Sequence, residues 1–129
     1  MERRQFEFFL VRYVPNPVRA EFVNIGVILH DLESIEGTAV IRITRNWNRV
    51  LCIDPEADTE MLEALEEDIN SQFAEGNESV KVLLSALQQQ LSNSLQISEP
   101  NITLGANLTV ETDRLMVMYV EPQRSSPGP

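Results

Sequence analysis

The spacing of apolar and polar positions changes about halfway along the chain. Gln5 to Tyr13, Phe22 to His30 and Thr38 to Thr44 are short runs rich in Phe, Val, Ile and Leu, the composition of strands on a half-buried pleated surface. Pro15 and Pro17 cannot donate to a sheet ladder, so they predict the end of the first strand. The segment from Asp31 to Gly37 is short enough to join the second and third strands as an antiparallel hairpin with a longer loop. A three-stranded antiparallel meander is the expected first half.

Beyond Asp54 and Pro55 the period becomes helical. Asp58 suits the cap of a helix with Met61, Leu62, Leu65, Ile69 and Phe73 at three- and four-residue spacing, and Gly76 suits its stop. A second helix from about Glu78 places Val80, Leu83, Leu84, Leu87 and Leu91 on one face, with Gln88, Gln89 and Gln90 around the rest. Both stripes are expected to cover one side of the sheet, over Phe8, Leu10, Val27 and Leu29. Ser94 to Ser98 and Ile102 to Leu104 read as short extended pieces around Pro100.

Two patterns compete over Leu108 to Val120. Thr109 as a cap, with Glu111 and Asp113 in a first turn, favours a helix, whereas Met116 to Val120 would also serve as a strand; helix is the reading adopted. The fold class is thus α+β: a three-stranded antiparallel meander followed by amphipathic helices packed on one sheet face. Residues 1–121 are expected to form one domain. Residues 122–129 have no apolar anchor and are expected to form a flexible tail.

A chain of 129 residues, 43% apolar, can bury a core without staples. Its single cysteine, Cys52, excludes an intrachain disulfide and a cysteine-based zinc cluster, and in the run Val50 to Ile53 it is expected to be a buried thiol. Lack of disulfides fits a reducing compartment. The N-terminal apolar run is too interrupted for a signal peptide, and no segment approaches the roughly 20 apolar residues of a membrane span. A soluble, cytoplasmic protein is the expectation, with no membrane partner.

The net charge is −10, unevenly spread. Through Arg49 the chain carries about +1, and the rest about −11; ten carboxylates and no Lys or Arg lie between Asp54 and Glu78. Such a face repels phosphate backbones and argues against general nucleic-acid binding. The pairs Glu60/Glu63 and Glu63/Glu67 could chelate a hard cation only with converging ligands from elsewhere. None is apparent, so a solvated face is the reading and no metal is expected.

Arg12, Arg19, Glu21 and Asn24 are the best candidates for ligand or partner contact. A guanidinium held by a carboxylate is preorganised to grip a phosphate or carboxylate, and an Asn beside a Gly lets backbone approach closely. The same residues also read structurally, with Arg19 and Glu21 pairing across a loop and Asn24 and Gly26 marking a bulge. Trp47, among Arg42, Arg45 and Arg49, could stack on a base or peptide or anchor a core edge with the arginines lying over it. His30 is the only histidine, and there is no G-x-S-x-G, G-x-G-x-x-G or G-x-x-x-x-G-K-[ST] stretch. No catalytic motif and no cofactor site are found.

The run from Arg12 to Leu29, with its E-F-V-N-I-G-V-I-L strand, resembles the opening signature of a bacterial family known as domain of unknown function 3037. Leu51 to Leu65, as L-x-x-D-P-x-A-D-x-x-x-L, is similar to that family's second stretch, and Ser94 to Ser98, Gly105 and Leu115 to Val120 resemble its C-terminal part. At His30 the chain departs from the aromatic or apolar residue common in the family. The resemblance supplies no catalytic residues. It does imply a partner, a HipA-like kinase, because genes of similar proteins often lie beside genes for such kinases. The functional expectation is a non-catalytic protein-interaction module working through its acidic helical face or an exposed sheet edge. The alternative is a small-molecule anion-binding domain or enzyme using Arg12, Arg19, Glu21 and Asn24.

Overall fold

In the computed structural model, residues 3–16, 21–34, 38–75, 79–90 and 94–121 are described. Strands β1 (Arg4–Asn16), β2 (Glu21–Asp31) and β3 (Ala39–Ile43) form the expected antiparallel meander. Two short strands, β4 (Leu95–Ile97) and β5 (Asn101–Gly105), pair antiparallel with the other side of β1, one beyond the other. The sheet is five-stranded, with β1 at its centre.

Helices α1 (Asn48–Ile53), α2 (Thr59–Glu75) and α3 (Val80–Gln90) pack on one face. There Val50, Leu62, Ile69, Val80, Leu84 and Leu87 meet Phe9, Val11, Tyr13, Ile28, Ile41 and Ile43. Helix α4 (Leu108–Leu115) continues into a π-helical turn, Met116–Val120, and covers the opposite face. Leu115, Met116 and Val120 lie against Phe6, Phe8, Leu10, Val27 and Leu29. The residues expected under α2 and α3 therefore lie under α4. Side chains alternate along a strand, and in a sheet covered on both faces each set is apolar, so the pattern does not reveal which set meets which helix.

Other details differ from expectation for local reasons. Strand β1 runs through Pro15 because its register with β2 shifts between Tyr13 and Asn16, an irregularity that needs no ladder donor there. The stripe of α2 faces the core through Leu62, Leu65, Ile69 and Phe73 as expected, but Met61 falls outside it and is 48% exposed. Cys52 is exposed on the outer side of the short helix α1, which was not anticipated and whose inward residue is Val50. Helix α4 is capped by Asn107, not Thr109: the Asn107 side chain accepts from Val110 N at 2.9 Å. Asp58 caps the N-terminus of α2, accepting from Met61 N at 3.0 Å. Gly76, Glu78, Leu91 and the tail at 122–129 lie outside the described residues.

Gly26 sits where β2 has an extra residue. Val11 faces Gly26 and Arg12 faces Asn24, so Ile25 bulges out of the register and turns fully buried into the core under the helices. A Cβ on Gly26 would lie 2.6 Å from the carbonyl oxygen of Arg42 and 3.1 Å from Ile43 Cγ1. Glycine is required there by the close approach of β3. Among the described residues, no helix is long and apolar enough to cross a membrane.

Candidate functional site

The structure brings two of the four sequence candidates together. Arg12 Nε donates to Asn24 Oδ1 at 3.4 Å, and the Arg12 guanidinium lies 4.7 Å above the centre of the exposed Phe22 ring. Asn24 Nδ2 in turn donates to the carbonyl of Tyr119 at 3.2 Å. Glu21 begins β2 opposite Asn16 and is exposed, and Arg19 lies outside the described residues. Asn24 thus ties the bulged strand to the π-helical turn on the far face. His30 is buried with Nδ1 3.5 Å from Glu7 Oε1.

Three carboxylates of the acidic run, Asp54, Glu63 and Glu66, are half-buried and bonded within the fold, whereas Glu56, Asp58, Glu60, Glu67, Asp68 and Glu75 are exposed. Asp54 Oδ2 accepts from Tyr13 Oη at 2.5 Å; burial, then this bond and the Asp54 charge, push the Tyr13 hydroxyl up to about 12. Glu63 accepts from Trp47 Nε1 at 2.5 Å, so Trp47 is a buried core-edge residue with its polar atom satisfied. Among the described residues no three His, Cys, Asp or Glu side chains converge as a cation site.

The two sheet edges are treated differently. On β3, Ile41 N donates to Asn70 Oδ1 and Ile41 O accepts from Asn70 Nδ2, both at 2.9 Å. Ile43 N donates to Glu66 Oε1 at 2.6 Å, and Ile43 O accepts from Arg45 at 3.0 Å. Side chains of α2 and of the loop after β3 thus occupy the places of a next strand. On β1, Gln5 O accepts from Leu32 N on the β2 side, whereas Leu10 bonds Ser98 and Val14 bonds Ser94 on the other side. The even residues of β1 therefore face β5, and their partners Asn101, Thr103 and Gly105 turn inward. Ile102 and Leu104 consequently direct their N–H and C=O groups outward. Their side chains are 55% and 53% exposed, and the strand Asn-Ile-Thr-Leu-Gly carries no charge.

Between β5 and α4 a cleft of about 380 Å³ opens over the sheet. Phe8, Leu10 and Leu115 make its apolar part, Asn101 and Thr103 one wall, and Arg114, Met118 and Tyr119 the other. Arg114 is held from beneath by Glu111, which is 2% exposed: Arg114 Nε and Nη2 donate to its two oxygens at 2.9 and 2.5 Å. Thr103 Oγ1 adds a bond to Glu111 at 2.6 Å and accepts from Arg114 Nη2 at 3.0 Å. Burial pushes the Glu111 carboxyl up, but these bonds and the charges of Arg114 and Arg3 outweigh it and hold the group below the usual carboxylate range. The Glu111 bond likewise raises Arg114. A Cβ on Gly105 would lie 2.5 Å from Glu111 Oε1, so glycine leaves room for this carboxylate against the strand.

The Arg114 cluster was missed in the sequence, where Glu111 served only as a first-turn acid. The signal was available: Glu111 and Arg114 stand at i, i+3 on the segment read as a helix, a spacing that puts both on one face. Thr103 and Asn101 carried no such signal, because their proximity depends on how β5 pairs with β1.

No curated protein and no solved structure matches the chain. A family model described as "Protein of unknown function (DUF3037)" matches residues 8–120, a span reaching from β1 to the π-helical turn that Asn24 holds, and the chain belongs to that family.

Proposed function

We propose that this is a cytoplasmic, non-catalytic interaction module that takes an extended segment of a partner protein along the outer edge of β5. The observation that carries the reading is the contrast between the edges: β3 is closed by α2, while β5 offers outward backbone groups at Ile102 and Leu104 beside two exposed apolar side chains. Strand addition obtains affinity from main-chain bonds and specificity from alternate side chains, and this edge supplies both. The acidic charge elsewhere would orient a basic partner during encounter. The alternative, an anion site or enzyme at Arg12, Arg19, Glu21 and Asn24, has less support, since Asn24 is bonded to the Tyr119 carbonyl and Arg12 stacks on Phe22.

A HipA-like kinase, the partner implied by the family resemblance, is the one to test first. The two proteins are to be co-expressed and passed through size-exclusion chromatography at micromolar concentration, where co-elution is expected. Ile102→Pro removes an outward donor and leaves the inward bonds of Asn101, Thr103 and Gly105, so it should abolish co-elution while the variant still folds. Separate elution of the wild-type proteins rejects the kinase; co-elution that survives Ile102→Pro rejects the edge.

A further inference from the structure

We propose that the cleft between β5 and α4 binds an organic carboxylate with an apolar body, the carboxylate bridging to Arg114 and the body lying on Phe8, Leu10 and Tyr119. The reading is independent of strand addition. It starts from the donors of Arg114. Nε and Nη2 are taken by Glu111 and Thr103, but among the described residues Nη1 donates only to the Met118 sulfur, at 3.1 Å. A thioether is a weak acceptor for a charged donor, and Arg114 is 47% exposed. An anionic oxygen displacing that sulfur would convert a poor contact into a charge-assisted bond.

Three further features fit a carboxylate. Both oxygens of Glu111 are engaged and the side chain is buried, so its negative charge is neutralised by Arg114. Arg3 lines the adjoining groove of about 620 Å³ together with Arg114, so that the groove sets two cations against one carboxylate, Glu111, in an otherwise acidic protein. Finally, the cleft sets apolar side chains, Phe8, Leu10 and Tyr119, beside three convergent polar groups, Asn101, Thr103 and Arg114, so that both ends of such a ligand find a matching surface. The guanidinium is also preorganised, because Glu111 already fixes its plane and little rotamer freedom remains to be lost on binding.

The carboxylate could arrive on a free organic acid or at the C-terminus of a peptide with an apolar last residue, and two probes separate these. Phenylacetate and an acetylated tetrapeptide ending in a free Phe carboxylate are each titrated into the full chain, with their neutral amides as controls. Binding is followed by isotope-edited NMR. Saturable shifts centred on Arg114, Met118 and Tyr119 are expected, with the amides weaker by at least about tenfold, because a charged bond is replaced by a neutral one. The peptide binding more tightly than phenylacetate by a similar factor assigns a chain terminus; the reverse assigns a free acid.

Arg114→Met would leave the Glu111 carboxylate buried without its partner and could unfold the chain, so the deciding variant is Met118→Glu. It places a carboxylate four residues from Arg114, within reach of Nη1, and should fill the site from within. The variant should retain the fold and lose binding of both probes by at least about tenfold. No saturable binding by either acid, equal binding of acid and amide, or full binding by Met118→Glu would overturn the proposal.

Discussion

Strand β3 and strand β5 both end the sheet, yet one is finished and the other is left open. At β3, Asn70 reproduces a strand's donor and acceptor pair with a single amide, and Glu66 and Arg45 complete the row. At β5, Ile102 and Leu104 present the same kinds of group in a strand that itself holds no charge and no proline, and among the described residues no side chain is bonded to those groups. An edge is a property of its surroundings as much as of its own residues. The same apolar alternation is a sealed edge in one place and an outward-facing one in the other, depending on whether a neighbouring helix brings an amide to it.

The largest expected effect comes from disturbing the sealed side at its root. Gly26→Val pushes a side chain into the Arg42 carbonyl and Ile43, and should lower the unfolding free energy by about 3 kcal/mol in urea melts. An unchanged midpoint would show that β3 does not depend on this close approach. Asn70→Leu should come next, at about 2 kcal/mol, because Ile41 N and O lose both partners at once. It should also expose the β3 edge, and faster hydrogen exchange at Ile41 reports that directly.

A smaller effect is confined to acid and to the β5 side. The Glu111 carboxyl is held below its ordinary value of 4.5 in the fold, so its contribution to stability is present above that pH and is lost as pH falls through the lower folded value. Amide protection at Thr103 and at the start of α4 should therefore decline below about pH 4.5, and Glu111→Gln should flatten that decline. The smallest effect belongs to the open edge itself. Leu104→Lys should change stability by no more than about 0.5 kcal/mol, since neither its side chain nor its outward backbone groups support the fold. A loss above 1 kcal/mol, on the order of a buried contact, would mean that the edge is structural after all.

Much of this architecture was legible because it depends on local pattern. The hairpin loop after Asp31, the Asp58 cap and the stripe Leu62, Leu65, Ile69 and Phe73 follow from neighbours in sequence. Asn24 and Gly26 were also readable, as a bulge beside a close backbone approach. What could not be read are relations set by pairing across long distances. The side of the sheet met by Phe8 rather than Phe9 depends on where the helices cross, and the grip of Asn70 on Ile41 depends on α2 lying along β3. The Glu111 and Arg114 pair was local and visible; only β5, arriving with Thr103 and Gly105, makes it a buried network beside a cleft.

The π-helical turn at Met116–Val120 shows how side chains can be displayed without being part of what holds their backbone. Its frame is gripped through main-chain atoms: Asn24 holds the Tyr119 carbonyl, Arg49 holds that of Val120, and Glu121 N closes the turn on Met116 O. None of these contacts depends on what is carried at 117, 118 or 119, where Val, Met and Tyr are 58%, 47% and 38% exposed. The main-chain frame therefore does not rest on the side chains at 117 and 118, while Tyr119 adds a ring contact with Phe8, 5.7 Å between centres. The turn thus works as a display mount, a frame fixed through main-chain atoms that holds its outward side chains in place without depending on their chemistry.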